Sequence, residues 1–203
     1  MNVFALIACV AGICPSGPAI PPIVDSRMTF EEALGKQDIP DSIQSRLRLI
    51  TVRYWGFDGK LHEGQILCNA LVVGDIEDLF ERLEAVRFPI RSAIPLARWN
   101  GSDSASMAND NTSSFAWRTM WGSTTPSWHM KGLALDINPR ENPAFHRGRI
   151  SPPDGKLNPS SPGTLSDTSL ATRFLRSRGW KWGARWRRVQ DWQHFEKPHV
   201  DRR

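Results

Sequence analysis

The sequence predicts an α+β domain, a small antiparallel sheet with helices packed on one face. Three observations carry this. Leu49-Ile50-Thr51-Val52-Arg53-Tyr54-Trp55 and the run that begins at Glu63-Gly64-Gln65-Ile66-Leu67 are rich in strand formers, and Phe57-Asp58-Gly59-Lys60 between them holds the Asp-Gly signal of a hairpin. Leu133, Leu135 and Ile137 alternate with Gly132, Ala134 and Asp136, which is the period of a strand with one buried side. Ile76, Leu79, Phe80 and Leu83 recur at helical spacing and form one apolar stripe.

The 203 residues, 40% apolar, suffice for one compact domain. We expect an extension over residues 1–24 and a folded domain over 25–203, acting as a monomer. Val3 to Cys14 is apolar but too short to span a bilayer, so no stable membrane span is expected; its length fits a signal-peptide core, although Met1-Asn2 supplies no basic residue ahead of it. The expected location is therefore periplasmic or extracellular, with a misassigned start or a disordered tail as the other reading. The net charge of +5, with basic residues concentrated in Arg173 to Arg188 and at Arg202-Arg203, favours an anionic partner. Nucleic acid is not the expected partner, because zinc-finger spacing, an RNP-type motif and a basic heptad region are all missing. Cys68 is the one cysteine outside the N-terminal stretch, so no disulfide framework can be built, and it reads as a small buried hydrophobe.

In chain order, Thr29-Phe30-Glu31-Glu32 is a capping box that opens a short helix. Asp41 follows, with apolar residues at Ile43, Leu47 and Ile50. After the hairpin, Asp75 is placed to cap the amphipathic helix, and Phe88 to Leu96 leaves it as a short strand. Asn100 to Ser114 is small and polar, hence a loop, and Asn111 to Arg118 returns to a strand. Arg140 to Ser169 is too long and too rich in Pro, Gly, Ser and Asn for an ordinary connection, which suggests a lid or a binding wall. A last helix runs from Ser169 and ends at Gly179.

Two segments carry chemistry. Ser127 to Pro139 holds His129 and Asp136, with small residues around the acid that leave room for something larger than a side chain. On its own such a pair is more often a satisfied, partly buried pair than a ligand set. Gln190 to Glu196 then adds His194, with Asp191 three residues before it. A catalytic zinc site needs three protein ligands, an open position for water and a base within reach, and the two segments together hold that inventory.

These residues resemble a known family. Ser-x-His-x-x-Gly-x-Ala-x-Asp at Ser127 to Asp136, followed by Asp-x-x-His-Phe-Glu at Asp191 to Glu196, is similar to the zinc D-alanyl-D-alanine carboxypeptidase and L-alanyl-D-glutamate endopeptidase family of peptidoglycan peptidases. The similarity runs from about Leu49 to Lys197 and takes in Asn111-Thr112-Ser113-Ser114-Phe115 and Gly179-Trp180-x-Trp182-Gly183. It implies the fold shared with the hedgehog N-terminal domain, a Zn²⁺ cofactor held by His129, Asp136 and His194, Asp191 as general base, and Arg118 facing a peptidoglycan peptide substrate. Asp103 matches a familial acid. On a helical turn, Asp191 would share the face of His194. Glu196 reads as a residue that orients a ligand histidine, while His62, His146 and His199 read as solvent-facing. Trp180, Trp182, Trp186 and Trp192 read as packing under the site rather than as sugar platforms. The Asp-x-x-His-Phe form is closer to the endopeptidase branch than to the dipeptidases. A hedgehog-like binding module without hydrolysis is the alternative, and a basic wall-anchoring protein whose metal is structural is a third.

Overall fold

A computed structural model describes residues 21–120 and 124–200. The apolar stretch Val3 to Cys14 and the Arg202-Arg203 pair lie outside the described residues, and so does nearly all of the 1–24 extension.

The chain begins with β1 (Ile23–Val24), α1 (Phe30–Leu34) and α2 (Asp41–Gln44). Thr29 caps α1 as expected: its Oγ1 accepts from Glu32 N at 3.2 Å, and Glu32 Oε2 accepts from Thr29 N at 2.8 Å. The helix at Asp41 is a single turn, because Leu47 already belongs to β2 (Leu47–Trp55). β2 pairs antiparallel with β3 (Leu61–Asn69) over nine residue pairs, which bears out the hairpin. Its turn is closed by Lys60 N donating to Asp58 Oδ1 at 3.0 Å.

Both faces of this hairpin are covered. Ile50, Val52, Tyr54, Ile66 and Cys68 face the main core, together with Ile76, Leu79, Phe80 and Leu83 of α3 (Val73–Ala85). Leu47 and Leu67, of opposite parity, pack with Ala33, Ile39 and Phe115 in a smaller cluster. Each such side chain, fully buried, contributes about 1.5–3 kcal/mol of transfer free energy. Cys68 is completely buried and its thiol is pushed up to about 12 by that burial, so it behaves as a hydrophobe.

Asp75 does not cap α3. It lies in the first turn of the helix, and its carboxylate is buried against Trp180 Nε1 (2.7 Å) and Lys197 Nζ. The expected Phe88–Leu96 strand shrinks to β4 (Ser92–Ala93), and Leu96–Trp99 is a 3-10 turn. The expected loop contains α4 (Asp103–Ala108), capped by Ser102 Oγ, which accepts from Ala105 N at 3.2 Å. β5 (Asn111–Thr112) runs parallel to β4.

β6 (Ala134–Asp136) is buried on both faces rather than one. The Arg140 to Ser169 stretch contains a hairpin, β7 (Ala144–His146) and β8 (Arg149–Ser151), turning at Arg147 and Gly148, both of positive φ. That is the two-residue turn that matches strand twist. After α5 (Leu170–Ser177) come β9 (Lys181–Trp182), β10 (Gln190–Asp191) and β11 (His194–Glu196).

The α+β class therefore holds, while the single antiparallel sheet does not, nor do helices on one face alone, since α3 covers one side of the hairpin and α1 the other. Among the described residues the strands form small separate sheets, ordered β1-β3-β2, β6-β11-β9, β10-β7-β8 and β4-β5, and the β1–β3 and β4–β5 pairs are parallel. No helix among the described residues is long and apolar enough to cross a membrane.

Candidate metal centre

The three expected ligands come from two adjoining strands and one turn. Asp136 ends β6, and His194 begins β11 directly opposite it in the antiparallel register, so both side chains leave the same face of the pair. His129 sits on a 3-10 turn, Trp128–Lys131, where Ser127 Oγ accepts from His129 N at 3.2 Å. Gly132 ends that turn at φ 64°, and a Cβ there would lie 2.6 Å from Asn69 N. Its bare side is filled by the backbone of β3, whose Asn69 N donates to Gly132 O at 3.0 Å. The small residue beside the acid thus serves a close backbone approach rather than leaving room for a ligand.

His129, Asp136 and His194 are all buried, and one ligand atom from each lies within 4.8 Å of the others. His194 Nδ1 is 2.9 Å from Asp136 Oδ1, His129 Nε2 is 3.2 Å from the same oxygen, and the two inward nitrogens are 3.1 Å apart. The outward nitrogens are also engaged: His129 Nδ1 lies 2.7 Å from Ser114 O, and His194 Nε2 lies 3.5 Å from Glu196 Oε2. An outward N–H on each ring leaves the inward nitrogen with a free lone pair, which fixes the tautomer a metal ligand requires. Two imidazole nitrogens and one carboxylate oxygen converging in a buried pocket are a donor set that fits Zn²⁺.

The electrostatics show the same attraction for a cation, here a proton rather than a metal. Burial alone would raise Asp136, yet His129 and His194 hold its carboxyl well below the usual carboxylate range. Burial alone would lower His194, but hydrogen bonds to Asp136 and Glu196 push it up to about 10. The cluster is thus built to hold positive charge at its centre.

Asp191 lies beside these groups, although not on a helical turn. It belongs to β10, paired with β7, and the chain bends at Trp192 and Gln193 before His194 enters β11. Burial raises Asp191 to about 6; His194 and His129 oppose the rise, Asp136 adds to it, and a hydrogen bond from the Gln193 side chain lowers it. Asp191 Oδ1 is closed off from solvent without a hydrogen-bond partner. The long Arg140 to Ser169 stretch, through β7, is what holds this carboxylate in place.

Arg118 is partly buried and its Nε lies 2.5 Å from Asp103 Oδ2, so it is not a free surface arginine. Its segment is tied to the centre by Ala116 N donating to His129 O at 3.2 Å. His199 is exposed, as expected. His62 is not: it is wedged between Asp25 (2.9 Å) and Asp58 (3.1 Å) at the hairpin end, and takes no part in the centre. Trp180 and Trp182 are core residues, whereas Trp186 is partly exposed and its ring lies 5.2 Å from that of His194. The Ser114 carbonyl and the Gln193 amide were not among the expected site residues; a main-chain acceptor leaves no mark on a sequence, and Gln193 was visible only as the residue between Asp191 and His194.

Residues 121–197 match the family model described as D-alanyl-D-alanine carboxypeptidase. The matched span contains His129, Asp136, Asp191 and His194, so the family resemblance is supported over the part of the chain that builds the centre. No curated protein and no solved structure matches the chain.

Proposed function

We propose that this chain, matched over residues 121–197 by the D-alanyl-D-alanine carboxypeptidase family, is a zinc-dependent peptidase that hydrolyses a peptide bond in peptidoglycan stem peptides. The observation that carries this reading is the convergence of His129, Asp136 and His194 beside the carboxylate of Asp191. The reading places the protein as a monomer in the periplasm or outside the cell, where that polymer lies.

His129 Nε2, Asp136 Oδ1 and His194 Nδ1 would hold the zinc. When bound, zinc supplies a Lewis acid and lowers the pKa of a water to about 7. Asp191 takes a proton from the attacking water as the water oxygen bonds to the peptide carbonyl carbon. As the carbon–nitrogen bond breaks, the same carboxyl returns that proton to the departing amine, and the remaining hydroxyl proton follows it, leaving one new carboxylate and one new ammonium group. Arg118, paired with Asp103, would meet a substrate carboxylate or the tetrahedral oxyanion with its guanidinium.

The test is mass spectrometry of muropeptides carrying a free pentapeptide stem, digested with zinc-loaded protein. Loss of one alanine identifies a carboxypeptidase, in keeping with the description of the matched family. Release of the stem after L-alanine identifies an endopeptidase, in keeping with the Asp-x-x-His-Phe form at Asp191 to Phe195. An unchanged spectrum from protein with zinc bound would overturn the peptidase reading in favour of a binding module.

A further inference from the structure

Trp186 borders the centre, Arg187 and Arg188 follow it in the chain, and the chemistry above makes no use of the three. Trp186 leaves the 3-10 turn Gly183–Arg185 with its N–H donating to Gly183 O at 3.0 Å, and its ring is inclined at 55° to that of His194. Gly183 makes this seating possible: a Cβ there would lie 2.7 Å from Asp191 O and 3.3 Å from Trp186 Cζ3. The turn is thereby pressed onto the strand that bears Asp191, while part of the indole stays open to solvent.

Arg187 and Arg188, next in the chain, are exposed. Three of the basic residues before them have partners: Arg176 and Arg185 pair with Asp167, and Arg178 pairs with Asp78. Neither Arg187 nor Arg188 has a carboxylate partner among the described residues. Two exposed guanidiniums thus follow directly in the chain on an aromatic ring that packs beside a candidate metal ligand. Guanidinium binds carboxylate with paired, charge-assisted hydrogen bonds, and an indole face offers an apolar platform.

We propose that Trp186, Arg187 and Arg188 form a docking rim for an anionic peptide substrate. Trp186 is the wall along which the peptide lies, and the two guanidiniums bind a free carboxylate of the stem. This rests on the peptidase reading and narrows its substrate class to stems that keep an unamidated carboxylate.

The experiment compares two synthetic pentapeptide stems that differ only in whether the α-carboxylate of the γ-linked D-glutamate is free or amidated. Wild-type protein is expected to favour the free acid, and Arg187→Ala/Arg188→Ala to raise KM for it about tenfold, equivalent to about 1.4 kcal/mol, leaving kcat and the KM for the amide unchanged. Trp186→Ala is expected to raise KM for both peptides, and Trp186→Phe to keep it. Calorimetric binding to full-length, zinc-loaded Asp191→Asn protein reads the same contrast as Kd without turnover. A wild-type protein that cleaves neither peptide refutes the peptidase reading, while the rim still stands or falls on the Kd contrast. Equal KM and Kd in wild type and the double variant, or an unaffected Trp186→Ala, would overturn the rim.

Discussion

His194 and Asp136 are exact cross-strand partners in the β6–β11 pair, with His194 Nδ1 2.9 Å from Asp136 Oδ1. A slip of one residue would send one of them to the opposite face, so the register of these short strands and the geometry of the centre are a single constraint. Lys197 N donating to Leu133 O at 2.9 Å and Ile137 N donating to Gln193 O at 3.1 Å continue the pairing on either side.

Zinc is accordingly expected at one ion per chain in wild-type protein and to be absent from His129→Ala and His194→Ala. Elemental analysis of the purified proteins checks this, and undiminished zinc in both variants would dismiss the assignment. Because zinc binds the folded chain, an excess of a thousand times Kd should stabilise it by about 4 kcal/mol, visible as a fall in Tm on chelation.

Asp191→Ala should keep its zinc and its fold while hydrolysis drops by about two to four orders of magnitude, the usual contribution of a positioned base. Steady-state kinetics on the scissile stem peptide, with zinc content measured alongside, separates this outcome from loss of the metal. Normal turnover would move the role to another residue.

Asp75 is expected to matter for stability alone. Its buried carboxylate gathers Trp180 Nε1 and Lys197 Nζ, joining α3 to the start of β9 and the end of β11. Asp75→Ala leaves a buried indole N–H and an ammonium without their partner, a loss of about 2–4 kcal/mol. Urea denaturation should show a lowered midpoint with an unchanged slope; a shift under 0.5 kcal/mol, about the scale of an ordinary surface substitution, would contradict the contact.

The same residue shows where reading the chain stops short. An Asp just ahead of an amphipathic stripe has the local pattern of a cap, and only the long-range arrival of Lys197 reveals its use. The convergence of His129, Asp136 and His194 was legible because the two motifs that hold them resemble a family pattern whatever the connecting structure. Asp191 was legible as a carboxylate near His194, but its backbone was not, since two residues three apart can meet on a helical turn or across a bend between two strands; pairing with β7 selects the bend. The β7–β8 hairpin was signalled by Arg147-Gly148 between Phe145 and Ile150, and the surrounding Pro and Ser content hid it. α4 was equally visible at its Ser102 cap, but a single short helix of small residues has too little apolar stripe to announce itself.

Glu141 should give the fold a measurable pH dependence. Burial pushes its carboxyl up to about 8, helped by the hydrogen bond and the charge of Asp110, and its Oε2 is sealed without a partner. Since the folded value exceeds the ordinary 4.5, the folded state holds this proton more tightly than the unfolded chain does. Its contribution to stability is therefore complete below about pH 4.5 and is lost as pH rises through about 8. Glu141→Gln keeps a donor for Asp110 and removes the titration. The stability difference between variant and wild type should consequently grow in the variant's favour from pH 4.5 to 8, as read from urea midpoints. A constant difference across that range would exclude the protonated carboxyl.

The two histidines of the candidate centre are oriented by unlike means, and this separates the effects of their neighbours. His129 Nδ1 is tied to the main-chain carbonyl of Ser114 at 2.7 Å, a contact that no side-chain replacement at that position removes. His194 Nε2 faces the side chain of Glu196 at 3.5 Å, which a single substitution deletes. Outer partners of this kind fix the ring and raise its basicity, and their loss costs about 10–100-fold in metal affinity. Glu196→Ala is therefore expected to weaken zinc binding by about that factor, whereas Ser114→Ala, which keeps the carbonyl, leaves it unchanged. Competition against a chromogenic chelator measures both. Equal affinities in the two variants would mean that Glu196 does not hold the His194 ring, and the longer of the two outer contacts would then be incidental.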